Sequence, residues 1–168
     1  MNNRLIILVI LNFFFCELTL ANNLTYLDFN YIINNTISGK KIISKLNSIN
    51  NQNLNLLKKE QEEIKKEKED IEKTKNLLSN DELNKKIEAF NIKLVKFNEK
   101  QENLSNEFKN LKQIEITNFV NKINPLIEKF MIENNIDLIL KKENIYIGKS
   151  EYDISLKLID LINKNIKE

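Results

Sequence analysis

"LLSNDEL", Leu77 to Leu83, decides how this chain is organised. Ser79 and Glu82 stand three residues apart. At that spacing the serine hydroxyl accepts from the glutamate amide while the carboxylate returns to the serine amide, a capping box. One helix therefore ends near Leu78 and a new one begins at Ser79. No glycine or proline lies between Lys40 and Asn124, so nothing else in that span breaks a helix on backbone grounds.

On the upstream side, Ile43, Asn50, Leu57, Ile64, Ile71 and Leu78 recur every seven residues. The partner positions, Leu46, Asn53, Glu60, Glu67 and Thr74, are mostly polar, so this heptad stripe is regular but half filled. Downstream, Leu83, Ile87, Phe90, Leu94, Phe97, Gln101, Leu104, Phe108 and Leu111 step by four and three without a slip. The partner nearest in sequence is the preceding helix, folded back antiparallel. About 40 residues at 1.5 Å each predict an arm of roughly 60 Å. The return helix should overrun it through Phe119, Ile123, Ile127 and Phe130, with Pro125 kinking or restarting it.

The two ends of the chain have a different character. "LTYLDFNYII" (Leu24 to Ile33) reads as a strand running into a short helix, and "NNTISGKK" as a turn in which Ser38 caps the first long helix. "NIDLILKKENIYIG" predicts two strands, Ile136–Lys141 and Asn144–Ile147, joined by a Lys-Glu turn. Asp153 then caps a helix with Ile154, Leu158, Leu161 and Ile162 on one face. The terminal segments must pair with each other, because neither is large enough to fold alone. The fold class is α+β, mostly α: a long antiparallel coiled-coil hairpin on a small β body.

The expected organisation is a signal peptide over 1–21, the first part of the body over 22–37 and the arm over 38–132, its tip near 79–82. Residues 133–168 supply the second part of the body and the closing helix. The signal reading rests on Arg4, the apolar run "LIILVILNFFF" and small residues ending at Ala21. A membrane anchor and a lipoprotein anchored at Cys16 are the rival readings. Cleavage would remove Cys16, leaving no disulfide or thiolate chemistry. The body, about 65 residues without staples, is below the size at which one core is comfortably stable, which predicts an oligomer.

A net charge of +2, from 26 basic and 24 acidic residues, argues against a dedicated nucleic-acid binder. There is no histidine, and with Cys16 removed the usual nucleophilic triads and zinc sites are excluded. Two glycines cannot build a phosphate loop. Acidic pairs such as Glu62-Glu63 sit among lysines, as on a solvated helix face. Three matches to the glycosylation pattern, at Asn23, Asn34 and Asn103, are what an asparagine-rich chain produces by chance. The expectation is a non-enzyme with no cofactor and no metal. Lys85, Lys86, Lys93, Lys96 and Lys100 form the most one-sided basic cluster and are the candidates for contact with an anionic partner.

The order of parts, with "LTYLDFNYIINNTISGKK" near the start and "NPLIEKFMIENNIDLIL…IYIGKSEYDIS" near the end, resembles the Skp/OmpH family of periplasmic chaperones. Pro125, Asp137-Leu138, Tyr146 and Asp153-Ile154 fall where that family shows similar residues. The resemblance implies a homotrimer whose helical arms hang from a β body around a cavity. It implies a periplasmic holdase that keeps unfolded outer-membrane β-barrel proteins soluble without ATP, and weak contact with a membrane surface or lipopolysaccharide. Members are strongly basic, whereas this chain is nearly neutral. The trimer contact and body core together should comprise Leu27, Phe29, Leu138, Leu140, Ile145 and Ile147. Phe90, Leu94, Phe97 and Phe108 are the candidates for client contact, against the plainer reading that they pack the two arm helices together. An exported coiled-coil spacer or adaptor of the cell envelope is the alternative function.

Overall fold

The computed structural model describes residues 23–166, so the expected signal peptide lies outside the described residues. Strand β1 (Leu24–Leu27) leads into helix α1 (Phe29–Asn35), then α2 (Ile37–Thr74) and α3 (Asn80–Glu133). Strand β2 (Leu138–Lys141), two short 3-10 turns at Lys142–Asn144 and Ser150–Tyr152, and helix α4 (Ser155–Asn165) complete the chain.

β1 and β2 pair in parallel, with Leu24 opposite Leu138 and Leu27 opposite Lys141. Parallel neighbours need a crossover connection. Here that crossover is the whole of α1, α2 and α3. Asn23 and Asp137 tie the start of the pair: the Asp137 amide donates to the Asn23 carbonyl at 3.1 Å, and the Asn23 amide donates to Asp137 Oδ2 at 3.2 Å. Asp28 then ends β1 and caps α1, its Oδ1 accepting from the Tyr31 amide at 2.8 Å.

The second predicted strand of the C-terminal pair, Asn144–Ile147, does not form. A tight hairpin needs residues that adopt positive φ, typically Asn-Gly. Lys142-Glu143 offers neither, and the chain makes a 3-10 turn instead, the Ile145 amide donating to the Lys142 carbonyl at 3.1 Å. Lys142 Nζ lies 3.2 Å from Asp28 Oδ2. The other side of β1 is closed by the later segment: the Ile154 amide donates to the Tyr26 carbonyl at 3.0 Å, and Asp153 bridges to Tyr26.

Thr36, not the predicted Ser38, caps α2; its Oγ1 accepts from the Gly39 amide at 3.2 Å. Ser38 lies inside the first turn and is buried. Gly39 is needed for packing: a Cβ there would collide with the Ile33 carbonyl oxygen. From the far end of the chain, Asn163 Oδ1 accepts the Ile37 amide at 2.8 Å, satisfying another orphan donor of α2.

The core joins Ile32 and Ile33 of α1, Phe119 and Ile123 of α3, and Ile154, Leu158, Ile159 and Ile162 at α4. Ile159 takes the buried place expected of Leu161, which is half-buried. Ile154, not the predicted Asp153, takes the N-cap position of α4, though Asp153 Oδ1 one residue earlier accepts from the Ser155 amide at 2.9 Å. α3 runs unbroken through Pro125, so the predicted restart does not occur. Proline deprives the Asn121 carbonyl of its partner, but burial of Phe119 and Ile123 one turn away holds the helix to the core.

A Schellman motif turns the chain from α3 into β2. Asn135 adopts φ 51°, the Ile136 amide donates to the Met131 carbonyl at 2.9 Å, and the Asn135 amide to that of Ile132 at 3.4 Å.

The junction between arm and body generates two expected outcomes. Gly39→Ala should lower stability by about 1–3 kcal/mol, read as a lower urea midpoint with an unchanged slope. The Asp28 carboxyl is held below its ordinary value of 3.8 by the Tyr31 amide, opposed by desolvation and assisted by Lys142. A depressed carboxylate contributes stability that is present above its unfolded value and lost as pH falls through the folded one. Urea midpoints compared between pH 6 and pH 3 should therefore fall more steeply for the native protein than for Asp28→Asn.

Candidate binding surfaces

Along the arm the predicted heptad positions of α2 face α3. Ile43, Asn50, Leu57, Ile64, Ile71 and Leu78 are all half-buried, as are Asn53, Glu60, Glu67 and Thr74, while Leu46 is buried. On α3, Leu83, Phe90, Leu94, Phe97, Leu104, Phe108 and Leu111 are half-buried in the same interface. The predicted seam residues Ile87 and Gln101 are exposed. Lys93 and Lys100 are half-buried in the interface beside them.

The lysines explain what the polar seam positions do. Lys93 Nζ lies 2.6 Å from Glu67 Oε2, and Lys100 pairs with Glu60. A step of seven residues outward on α2 is matched by a step of seven on α3. Lys86 continues the series, reaching Asp70 at 3.1 Å because its heptad partner would be the uncharged Thr74. Nearer the base, Lys45 pairs with Glu115 at 2.6 Å. The Glu67 carboxylate is the main cause that raises the Lys93 ammonium above its usual range, with desolvation opposing it. Each pair is partly solvated and contributes little by itself. Their lysine stems cover the seam, and their matched spacing fixes the register.

At the tip, α2 ends at Thr74, before the predicted Leu78. The Leu77 amide turns back to the Thr74 carbonyl at 2.8 Å, and the Thr74 hydroxyl donates to the Asp70 carbonyl at 2.8 Å. The capping box is present: the Glu82 amide donates to Ser79 Oγ at 3.4 Å, and the Ser79 amide to Glu82 Oε2 at 3.1 Å. The Ser79 hydroxyl, donating to the same carboxylate, is the main cause that holds Glu82 below the usual carboxylate range.

Among the described residues, three hollows bear on these candidates. One, about 490 Å³, lies at the base between the sheet and α3, lined by Leu27, Phe29, Ile123, Leu138 and Leu140 among others. A second, about 540 Å³, lies beside Ile64 on the arm, with Phe90 and Leu94 in its wall. A third, about 520 Å³, surrounds the exposed Ile87, Ile92 and Val95 of α3. Among the described residues there is no acidic, histidine and cysteine cluster able to hold a metal ion, and no helix is long and apolar enough to cross a membrane.

A family model described as "Outer membrane protein (OmpH-like)" matches residues 23–162. The chain belongs to the OmpH-like family. Nothing among the curated proteins matches it. A crystal structure from Caulobacter crescentus CB15, described as an OmpH-like outer membrane chaperone, shares the fold. Its TM-score is 0.74 over 86% of each chain, at 16% identity. The α+β, mostly helical class read from the sequence is thus the class of this OmpH-like chain.

Within this OmpH-like frame the candidate residues divide. Phe90, Leu94, Phe97 and Phe108 all stand in the seam, and Phe90 and Leu94 also line the second hollow. Of the basic cluster, Lys86, Lys93 and Lys100 are engaged in pairs across the hairpin, while Lys85 and Lys96 are exposed. At the body, Leu27 and Phe29 pack on the core, the Phe29 ring 6.1 Å from that of Phe119 at 64°. Leu140 and Ile145 are half-buried, whereas Leu138 is 47% and Ile147 is 87% exposed. Sequence reasoning leaves Lys58, Lys65 and Lys68 out of the candidates, because the lysine runs there have glutamates and aspartates as chain neighbours; the structure places all three in the lining of the hollow beside Ile64. The signal was present: helical periodicity puts them on the side of Ile64 away from Glu60 and Glu67.

The seam makes its own prediction. Replacing Glu60 and Glu67 together by leucine should slow amide exchange across the middle of both arm helices, because apolar contact replaces solvated pairs. Raising salt should speed exchange there in the native protein and leave the leucine variant unchanged, checked by hydrogen exchange resolved to peptides.

Proposed function

We propose that this protein is a periplasmic, ATP-independent holdase that binds unfolded outer-membrane β-barrel proteins between the arms of a homotrimer. The observation that carries the reading is the contrast between base and arm. Among the described residues, every buried one lies in the body or at the arm's root, and between Leu46 and Phe119 none is buried. An arm so lightly packed opens locally at low cost, and weak contacts from several arms add by multivalency. Membership of the OmpH-like family, and the chaperone description of the protein from Caulobacter crescentus, support the same reading.

The homotrimer is argued from the base. β2 is the last strand of its sheet, and beside it lie the apolar hollow and the exposed Leu138, Tyr146 and Ile147. An open strand edge flanked by apolar side chains is a surface that soluble proteins cover. Further copies of the chain would cover it and enlarge a core too small to be comfortable alone.

Native mass spectrometry of the protein, mixed with a urea-unfolded outer-membrane barrel protein on dilution, tests both parts. Three chains bound to a client without nucleotide is the expected result. A trimer that ignores an aggregating client would move the reading to a structural adaptor of the envelope. A monomer would remove the argument from the undersized body.

A further inference from the structure

The arm's ion pairs and its apolar hollow involve different residues. Glu60, Glu67, Asp70, Lys86, Lys93 and Lys100 latch the hairpin, and none of them lines the hollow beside Ile64. The floor of that hollow is Ile64, Phe90 and Leu94, and its rim is Lys58, Lys65 and Lys68. Glu62 is the one carboxylate in its lining. The three lysines are exposed, and among the described residues none is held in an ion pair. Lysines placed this way rest their stems along apolar surface and keep their ammonium groups free to meet an anion.

We infer that this groove takes an extended segment of unfolded polypeptide in which aliphatic or aromatic side chains lie close to carboxylates. Charge complementarity commits the occupant: of the charged residues that line the hollow, three are lysines and one is a glutamate. From Lys58 to Lys68 is about 15 Å of helix, the length of four or five residues of extended chain. A concave floor with room for several side chains suits a polypeptide better than the flat face of a bilayer. The hollow around Ile87, Ile92 and Val95 is apolar too, but Glu88 and Glu99 outnumber Lys96 there, so it does not favour carboxylates. The inference rests on the holdase reading and names the part of the client that the arm holds.

The test uses a labelled disordered peptide of leucine, phenylalanine and aspartate, and the same peptide with lysine in place of aspartate. At low salt the native protein should bind the aspartate peptide about tenfold more tightly, and salt should erase the difference. Changing Lys58, Lys65 and Lys68 together to glutamate should weaken binding of the aspartate peptide by about tenfold. Changing Lys109, Lys112 and Lys157, all exposed and outside both basic clusters, to glutamate alters net charge equally and should leave binding intact, with circular dichroism checking that both variants are folded. Equal loss in the two variants, or no preference between the peptides, would overturn the groove. Anionic phosphatidylglycerol vesicles that displace the peptide and show the same variant dependence would assign the flank to a lipid surface instead. If the groove variant binds the peptide normally while the native protein keeps an unfolded barrel protein soluble, the groove fails and the holdase reading stands. If the native protein does not keep that barrel protein soluble, the holdase reading itself fails.

Discussion

Parallel pairing of β1 with β2 is the constraint on which the rest of the molecule depends. Strands that run the same way cannot be joined by a turn, so the chain between them must leave the sheet and come back to its starting end. This protein uses that obligatory excursion as its arm. The pairing also gathers the other small elements: Ile154 closes on Tyr26, Ser155 Oγ accepts the Asp28 amide at 2.8 Å, and Asn163 caps α2. Residues more than a hundred positions apart thereby hold one another at the arm's root.

From that root outward the packing changes in kind. At the base, Phe119, Ile123, Leu158 and Ile162 are almost fully enclosed, and burying such side chains is strongly stabilising. Along the arm, half-buried apolar residues alternate with Glu–Lys pairs whose individual contributions are small and sensitive to salt. Register is therefore specified more strongly than rigidity. That balance is what the proposed holdase reading asks of an arm that meets clients of different form.

Much of this was legible in the sequence, because the information was local. The Ser79–Glu82 box, the heptad spacing from Ile43 to Leu78 and the strand at Leu24–Leu27 each depend on residues a few positions apart. The candidate site was less legible. Phe90 and Leu94 stood out as seam residues, but a helical period does not say which edge of a seam residue is left open. Whether a lysine is engaged or free depends on the helix opposite, so the cluster from Lys85 to Lys100 looked like one basic patch. Two readings failed where local propensity met a stronger contact. Asn144–Ile147 had strand-like residues but no turn able to fold it back, and Ser38 yielded the cap to Thr36 where α2 packs against α1.

By itself, then, the sequence determined the helices, their order and the antiparallel return, because capping, periodicity and the absence of helix breakers act over a few residues. Only the tertiary structure decided that the two end strands run parallel with the arm as their crossover. It also decided that Glu60 and Glu67 serve the seam through Lys100 and Lys93, and that Lys58, Lys65 and Lys68 rim an apolar hollow. Those outcomes depend on which surfaces meet across long separations, and burial and charge pairing at such contacts have no counterpart in local spacing.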